Sequence, residues 1–407
     1  MKIKDLFYRY SSFIIAKSAL LVGKSVILIL AFRWLTLSDF AVVAAVLSLV
    51  EIVRGLSDVG AEGILYARQG AAHSMISILV KRMVRFRLTI SLLLSLLGML
   101  ICSLTLSHHA AYLFLLPFVG ALQNSSFYFM QRQRDFKKIS GLVILTLLAG
   151  LSMIVSAYLV RPEVSILVWL MVFPEIFSAI YAIFLTRRYW REILTERTHP
   201  ISSVRRLRPY FLPSIGVAFF VTLYTRLDVT LILPLLGPVA QSSYSAAFRF
   251  VEPFFLLLSL GSITLLAELG SYDTQSSRAY AKSLYARLNY ASFSGLVFFG
   301  FAAAFLLKLL SAKLFGYPDD VAWLVFLVAL GIPIKLTNTF LTSLLQRGGR
   351  YKSVFFATLQ TLLLTYLLAY FCGIKYGVEG VVVATIVAEF FNFIHQNIAV
   401  RRMLASY

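Results

Sequence analysis

Residues 210–255 read YFLPSIGVAFFVTLYTRLDVTLILPLLGPVAQSSYSAAFRFVEPFF. One apolar run covers 210–235 and a second begins at 239 and continues to 266. Each exceeds the roughly 20 residues that a helix needs to cross the hydrocarbon core of a bilayer. Both nevertheless hold ionisable residues, Arg226 and Asp228 in the first and Arg249 and Glu252 in the second. A charge at mid-bilayer costs about 2.5–3.5 kcal/mol on insertion scales, so a span that carries one must face a partner or a wet cavity. The stretch therefore predicts a pair of membrane helices with a polar interior beside them.

The same texture runs through the whole chain. Of its 407 residues 59% are hydrophobic and 14% charged, against roughly 45–50% and 25% in soluble domains. Further apolar runs fall at 11–35, 40–57, 88–106, 110–130, 140–160, 164–185, 288–310, 321–345, 353–372 and 378–400. The expected fold class is an all-α polytopic membrane protein of about 12 transmembrane helices in two six-helix lobes, with little room for a soluble domain. The lobes are residues 1–186 and 210–407, joined by a basic cytoplasmic linker over 187–209. The N-terminus resembles the start of a signal peptide, but Lys17 and Lys24 interrupt its apolar core, and it reads as a retained first span.

The net charge of +20 is first a matter of topology. With the N-terminus inside, alternate connections place Arg68, Lys81, Arg82, Arg85 and Arg87, then Arg132 and Arg134, the linker, Arg278 and Lys282, Arg347 and Arg350, and Arg401 and Arg402 in the cytoplasm. Both termini are expected there, and binding of nucleic acid is not. Cys102 and Cys372 lie far apart inside apolar runs, and His108 and His109 have no third ligand nearby, so neither a disulfide scaffold nor a metal site is expected. No phosphate-binding glycine loop appears, which speaks against direct use of ATP. No cofactor is expected.

Internal similarity points to a parallel repeat of two six-helix units. Gln131-Arg132-Gln133-Arg134-Asp135-Phe136-Lys137 corresponds to Gln346-Arg347-Gly348-Gly349-Arg350-Tyr351-Lys352, and Val50-Glu51 to Val251-Glu252.

The ionisable residues inside spans form stripes. Lys17 and Lys24 stand at i and i+7, Glu51, Arg54 and Asp58 at i, i+3 and i+7, and Ser245, Arg249 and Glu252 at i, i+4 and i+7. Lys335, Asn338 and Thr342 make another stripe, as do Glu389, Asn392 and Gln396. Arg226 and Asp228, two residues apart, are expected on nearly opposite helix faces. Simple pairing, Glu51 with Arg54 or Arg249 with Glu252, would only hold helices together. It leaves Lys17, Lys24 and Lys335 without a carboxylate in their own spans. The economical arrangement is a water-filled, net cationic cavity between the lobes, suited to an anion. Prolines at 117, 174, 213, 234, 253 and 333 are either bending points or static kinks.

Two stretches give this layout a family likeness. One runs from Leu37-Ser38-Asp39-Phe40-Ala41 through Val50-Glu51-Ile52 to Leu56-Ser57-Asp58-Val59-Gly60, and the other joins Arg226-Leu227-Asp228 to Tyr244-Ser245-Ala246-Ala247-Phe248-Arg249-Phe250-Val251-Glu252. With the turn motifs and the length, they resemble the Wzx-type O-antigen flippases of the MOP (MATE-like) exporter superfamily, over essentially the whole chain. The resemblance implies a V-shaped, two-lobed, alternating-access transporter in the bacterial inner membrane. Its substrate would be an undecaprenyl-diphosphate-linked oligosaccharide, and an O-antigen polymerase and a chain-length regulator would be possible partners. On that reading Lys17, Lys24, Arg54, Arg226, Arg249 and Lys335 bind substrate. Glu51, Asp58, Asp228, Glu252 and Glu389 balance them, and one of these carries a coupling proton or sodium ion. A cation-coupled drug or metabolite exporter of the same superfamily is the alternative, and it predicts a net acidic cavity. A polytopic polymerase or ligase is disfavoured because every outer connection is short, so no enzyme activity is expected.

Overall fold

A computed structural model describes residues 28–58, 73–132, 163–195, 208–269 and 295–405, with isolated positions at 26, between 138 and 155 and between 282 and 286. The expected spans at 11–35 and 140–160 fall largely outside these residues, as do Lys17 and Lys24. All described elements are helical. That is what a bilayer demands of a chain with no closed barrel, since each backbone N–H and C=O must be satisfied within its own segment.

The chain divides into two compact units, whose described residues lie within 28–207 and 208–405. In the N-terminal unit α1 covers Leu37–Asp58, α2 His73–Thr105, α3 Leu115–Arg132, α4 Val164–Leu185 and α5 Arg187–Thr195. In the C-terminal unit α6 covers Arg208–Thr225, α7 Leu233–Leu269, α8 Gly295–Lys313, α9 Asp319–Leu330, α10 Ile332–Arg347 and α11 Tyr351–Ala405. Among the described residues five helical stretches are long and apolar enough to cross a membrane, and a broken pair, Pro213–Thr225 with Val229–Phe255, makes a sixth. The protein is a multi-pass membrane protein.

Two findings change the expected element boundaries in the N-terminal unit. The helix expected from 88 begins at His73, so Lys81, Arg82, Arg85 and Arg87 are helical rather than in a loop. The start of the linker is also helical, and α5 explains both. Its apolar face buries Trp190 and Ile193, with the Trp190 indole donating to Ser126 Oγ at 3.0 Å. Its end carries polar anchors for α2: Arg85 Nε donates to the Ile193 carbonyl at 2.8 Å, and Lys81 lies 3.7 Å from Glu192. A basic residue that can bond a neighbouring helix terminus loses its reason to end its own helix.

In the C-terminal unit small residues set the close approaches. Apolar burial gives little drive to helix association in lipid, so van der Waals fit at small residues matters more. Phe355 fills the space a side chain at Gly216 would need, and Pro333 does so at Gly300. Pro333 sits in the first turn of α10, just after the break at Gly331 inside the span Asp319–Gln346, where its missing N–H leaves no bond unmade. α11 is two arms joined at Gly377, whose φ of 64° lies in the left-handed region. Its arms return so tightly that any side chain at Gly380 would run into the Cys372 carbonyl. α10 and both arms of α11 share a core of Leu341, Leu344, Leu345, Val354, Val400 and Met403.

Candidate functional site

The C-terminal unit holds a cavity of about 360 Å³ among α6, α7, α10 and both arms of α11. Arg226, Glu252, Lys335 and Glu389 line it, together with Tyr224, Phe248, Phe255, Asn338, Asn392 and Gln396. Five of the ionisable residues singled out in the sequence therefore meet here, because Arg249 shares the Glu252 carboxylate.

Arg226 owes its position to a break in the helix. α6 ends at Thr225, and residues Asp228–Ile232 form a single π-helical turn before α7. The chain leaves α geometry at this point, so the 100° step that placed Arg226 and Asp228 on opposite faces does not apply. Local π-turns widen a helix and are frequent at functional sites. The Asp228 side chain falls outside the described residues.

From the break, Arg226 Nη2 reaches Glu252 Oε1 at 2.6 Å, while Arg249 Nη1 reaches Glu252 Oε2 at 2.8 Å. One carboxylate thus ties α7 to the end of α6, and all three side chains are at most 14% exposed. Charge-assisted bonds of this length are the strong class. The site nonetheless keeps an excess of charge, since two guanidinium groups share one carboxylate.

Lys335 adds to that excess. Its ammonium lies over the Phe255 ring at 4.6 Å and the Phe248 ring at 5.8 Å from the centroids, and Arg226 also lies over Phe248 at 5.4 Å. Aromatic faces attract cations without neutralising them. Lys335 senses Glu389 and Glu252 electrostatically but forms a salt bridge with neither. Counted formally among the described side chains, Arg226, Arg249 and Lys335 stand against Glu252 and Glu389, an excess of one positive charge.

Glu389 is buried and held by neutral donors. Asn338 Nδ2 donates to its Oε2 at 2.7 Å and to its backbone carbonyl at 3.0 Å, and Asn392 Nδ2 approaches Oε2 at 3.4 Å. Tyr224 lines the cavity alongside these groups. The chain of bonds continues outward, from Gln396 Nε2 to Asn392 Oδ1 at 2.9 Å and from Thr342 Oγ1 to Gln396 Oε1 at 3.1 Å. The stripes Asn338–Thr342 and Glu389–Asn392–Gln396 are therefore one network across α10 and α11.

Tyr224, Phe248 and Phe255 were not singled out in the sequence, where aromatic residues are too common to carry a signal. Phe248 and Phe255 do stand at i and i+7 on the Arg249 helix. That spacing was the one available hint.

Arg54 and Glu51 belong to the N-terminal unit, in α1, and do not line this cavity. Arg54 Nη1 pairs with Glu51 at 3.2 Å, and Nη2 donates to the Leu116 carbonyl at 3.3 Å. Gly120 makes the room: a Cβ there would stand 3.1 Å from Nη2. Asp58 closes α1, and its side chain falls outside the described residues. Each unit thus carries a buried valine, Val50 or Val251, followed by a glutamate paired to an arginine one turn away.

No protein-family model and no curated protein matches the sequence. Solved structures do match in fold. An outward-facing multidrug resistance MATE family transporter of the MOP superfamily superposes with a TM-score of 0.70 at 12% identity, covering 100% of this chain and 97% of its own. A Vibrio cholerae MATE transporter in its bent form gives 0.62 at 13%, with 99% and 97% covered. A Pyrococcus furiosus MOP superfamily transporter, described by a reversed polarity of its binding pocket that suggests a different function, gives 0.64 at 11%, with 98% and 96% covered. The chain has the MATE-like fold of these transporters.

Proposed function

We propose that the protein is an alternating-access exporter of an anionic, lipid-linked oligosaccharide, an undecaprenyl-diphosphate-linked O-antigen or related repeat unit, across the bacterial inner membrane. The observation that carries this reading is Lys335. Among the described residues both carboxylates of the C-terminal cavity are already engaged, Glu252 by two guanidinium groups and Glu389 by amides, while the Lys335 ammonium lies over ring faces and forms no salt bridge. A buried cation held in no salt bridge attracts a diphosphate and repels a cationic drug. Arg226 supplies forked donors beside it. On the same reading Arg54 serves in the N-terminal unit, as do Lys17 and Lys24, and one of Glu51, Asp58, Asp228, Glu252 or Glu389 carries the coupling proton or sodium ion. The sugar crosses in water-filled space while the lipid tail stays in the bilayer.

The multidrug transporter among the matching structures supports a second reading, a cation-coupled exporter of a drug or metabolite. The Pyrococcus transporter, with a reversed pocket polarity that suggests a different function, makes pocket polarity the feature to weigh, and among the described side chains here the formal excess is positive.

The test uses cells that lack this protein but keep their glycosyltransferases, with lipid-linked repeat units and surface polysaccharide measured together. Accumulated single repeat units and absent surface polymer, both corrected by the wild-type chain but not by Lys335→Glu or Lys24→Glu, are the expected result. Unchanged polysaccharide with altered sensitivity to cationic drugs would overturn it in favour of the second reading.

A further inference from the structure

The wall of the C-terminal cavity around Asn338 holds one carboxylate, Glu389, already bonded by amides, and otherwise uncharged hydrogen-bonding groups whose sense is defined. Asn338 is 5% exposed. Its Nδ2 is committed to two acceptors on Glu389, which fixes the orientation of the amide. Its Oδ1, buried at the cavity lining, has no hydrogen-bond partner among the described residues. A buried acceptor left unmade costs about 1–3 kcal/mol, and native structures keep few of them without a reason.

The threonines around it present the same sense. Thr225, Thr339 and Thr358 each give their hydroxyl proton to a backbone carbonyl of their own helix at 2.7–2.8 Å. Thr342 gives its proton to Gln396. All four line the cavity, so what remains on each is an oxygen lone pair. Against these acceptors stand the second amide hydrogens of Asn392 and Gln396. A ligand complementary to this wall brings several donors and one or two acceptors. An ammonium would bring donors only, and both carboxylates of the lining, Glu252 and Glu389, are already engaged. Hydroxyl groups do both.

Resting on the anionic-substrate reading above, we propose that Asn338 Oδ1 and the threonine hydroxyls form a subsite for the sugar ring next to the phosphate. The protein on this view reads a glycosyl phosphate as one unit, phosphate at Lys335 and Arg226 and ring hydroxyls at Asn338, Thr339 and Thr342. The cavity volume of about 360 Å³ lies at the small end of ligand pockets, about 300–1,000 Å³. It therefore takes the first sugar and not the whole repeat unit. A site built to bond a hydroxyl rejects the analogue that lacks it, because its own buried groups are then left unpaired.

The experiment compares farnesyl diphosphate with farnesyl diphosphate bearing glucose, galactose or N-acetylglucosamine, each bound to the purified full chain in nanodiscs. Wild type is expected to bind at least one glycosylated probe about tenfold more tightly than farnesyl diphosphate, equal to about 1.4 kcal/mol. Asn338→Leu should erase that gain and leave the affinity for farnesyl diphosphate within twofold. Lys335→Ala should weaken all probes together. Thr342→Val, nearly isosteric, should lose part of the gain and serves if Asn338→Leu fails to fold. Equal binding of bare and glycosylated probes by wild type would overturn the sugar subsite while leaving the anion site standing, as would an Asn338→Leu loss that falls equally on every probe. Failure of wild type to bind farnesyl diphosphate in any form would overturn the anionic-substrate reading and the subsite with it.

Discussion

Glu252 is the residue on which the cationic cluster balances. Replacing it by Gln leaves two buried guanidinium groups facing each other across a neutral amide. Breaking a buried pair in this way costs on the order of 3–5 kcal/mol, so Glu252→Gln should lower the melting temperature of the detergent-purified protein by several degrees, with Arg249→Gln partly restoring it in the double variant. In the N-terminal unit Gly120→Ala puts a methyl group 3.1–3.2 Å from the Arg54 guanidinium and should dislodge it from the Leu116 carbonyl. The expected result is reduced export with a melting temperature close to wild type, since the displaced group is a quarter exposed and can rehydrate. At this scale the sequence was most legible where a charge interrupts an apolar run, because the cost of such a charge is large enough to demand a partner. Arg226, Arg249, Glu252, Lys335 and Glu389 could be named on that ground alone. The sense of the Asn338 amide was not legible, since it depends on which atoms of Glu389 face α10.

The elements show where local signals sufficed and where tertiary contacts prevailed. Apolar length placed the end of α4 at Leu185, as expected, and the breaks at Gly237 and Gly377 fall between expected spans. The upstream turns of α2 were hidden because Lys81 and Arg85 look like loop residues until α5 supplies Glu192 and the Ile193 carbonyl. The π-turn after Arg226 was hidden as well, because no residue type marks such a turn. The glycines of α11 make a graded prediction. Gly377→Ala must hold a methyl-bearing residue at φ 64° and ψ −145°, a combination close to the glycine-only region, at a strain of roughly 1–3 kcal/mol. Gly380→Ala drives a Cβ into the Cys372 backbone, which cannot give way without parting the arms. Thermal unfolding of both variants should therefore rank Gly380→Ala as clearly the more damaged.

For the whole molecule, each unit repeats one device, a buried valine followed by a glutamate that holds an arginine within a turn, as the likeness of Val50-Glu51 to Val251-Glu252 suggested. The basic residues near the ends of helices make the orientation testable: green fluorescent protein fused after Tyr407 should fluoresce, and alkaline phosphatase fused there should be inactive, if Arg401 and Arg402 lie in the cytoplasm. Helix α11 bears on that result directly. Its 55 residues, if straight, would measure about 80 Å, more than twice the roughly 30 Å hydrocarbon core. The fold at Gly377 turns this excess length into two crossings. On the expected twelve-helix topology, the parity of the chain's passages, and with it the compartment of the C-terminus, turns on a residue that has no side chain at all.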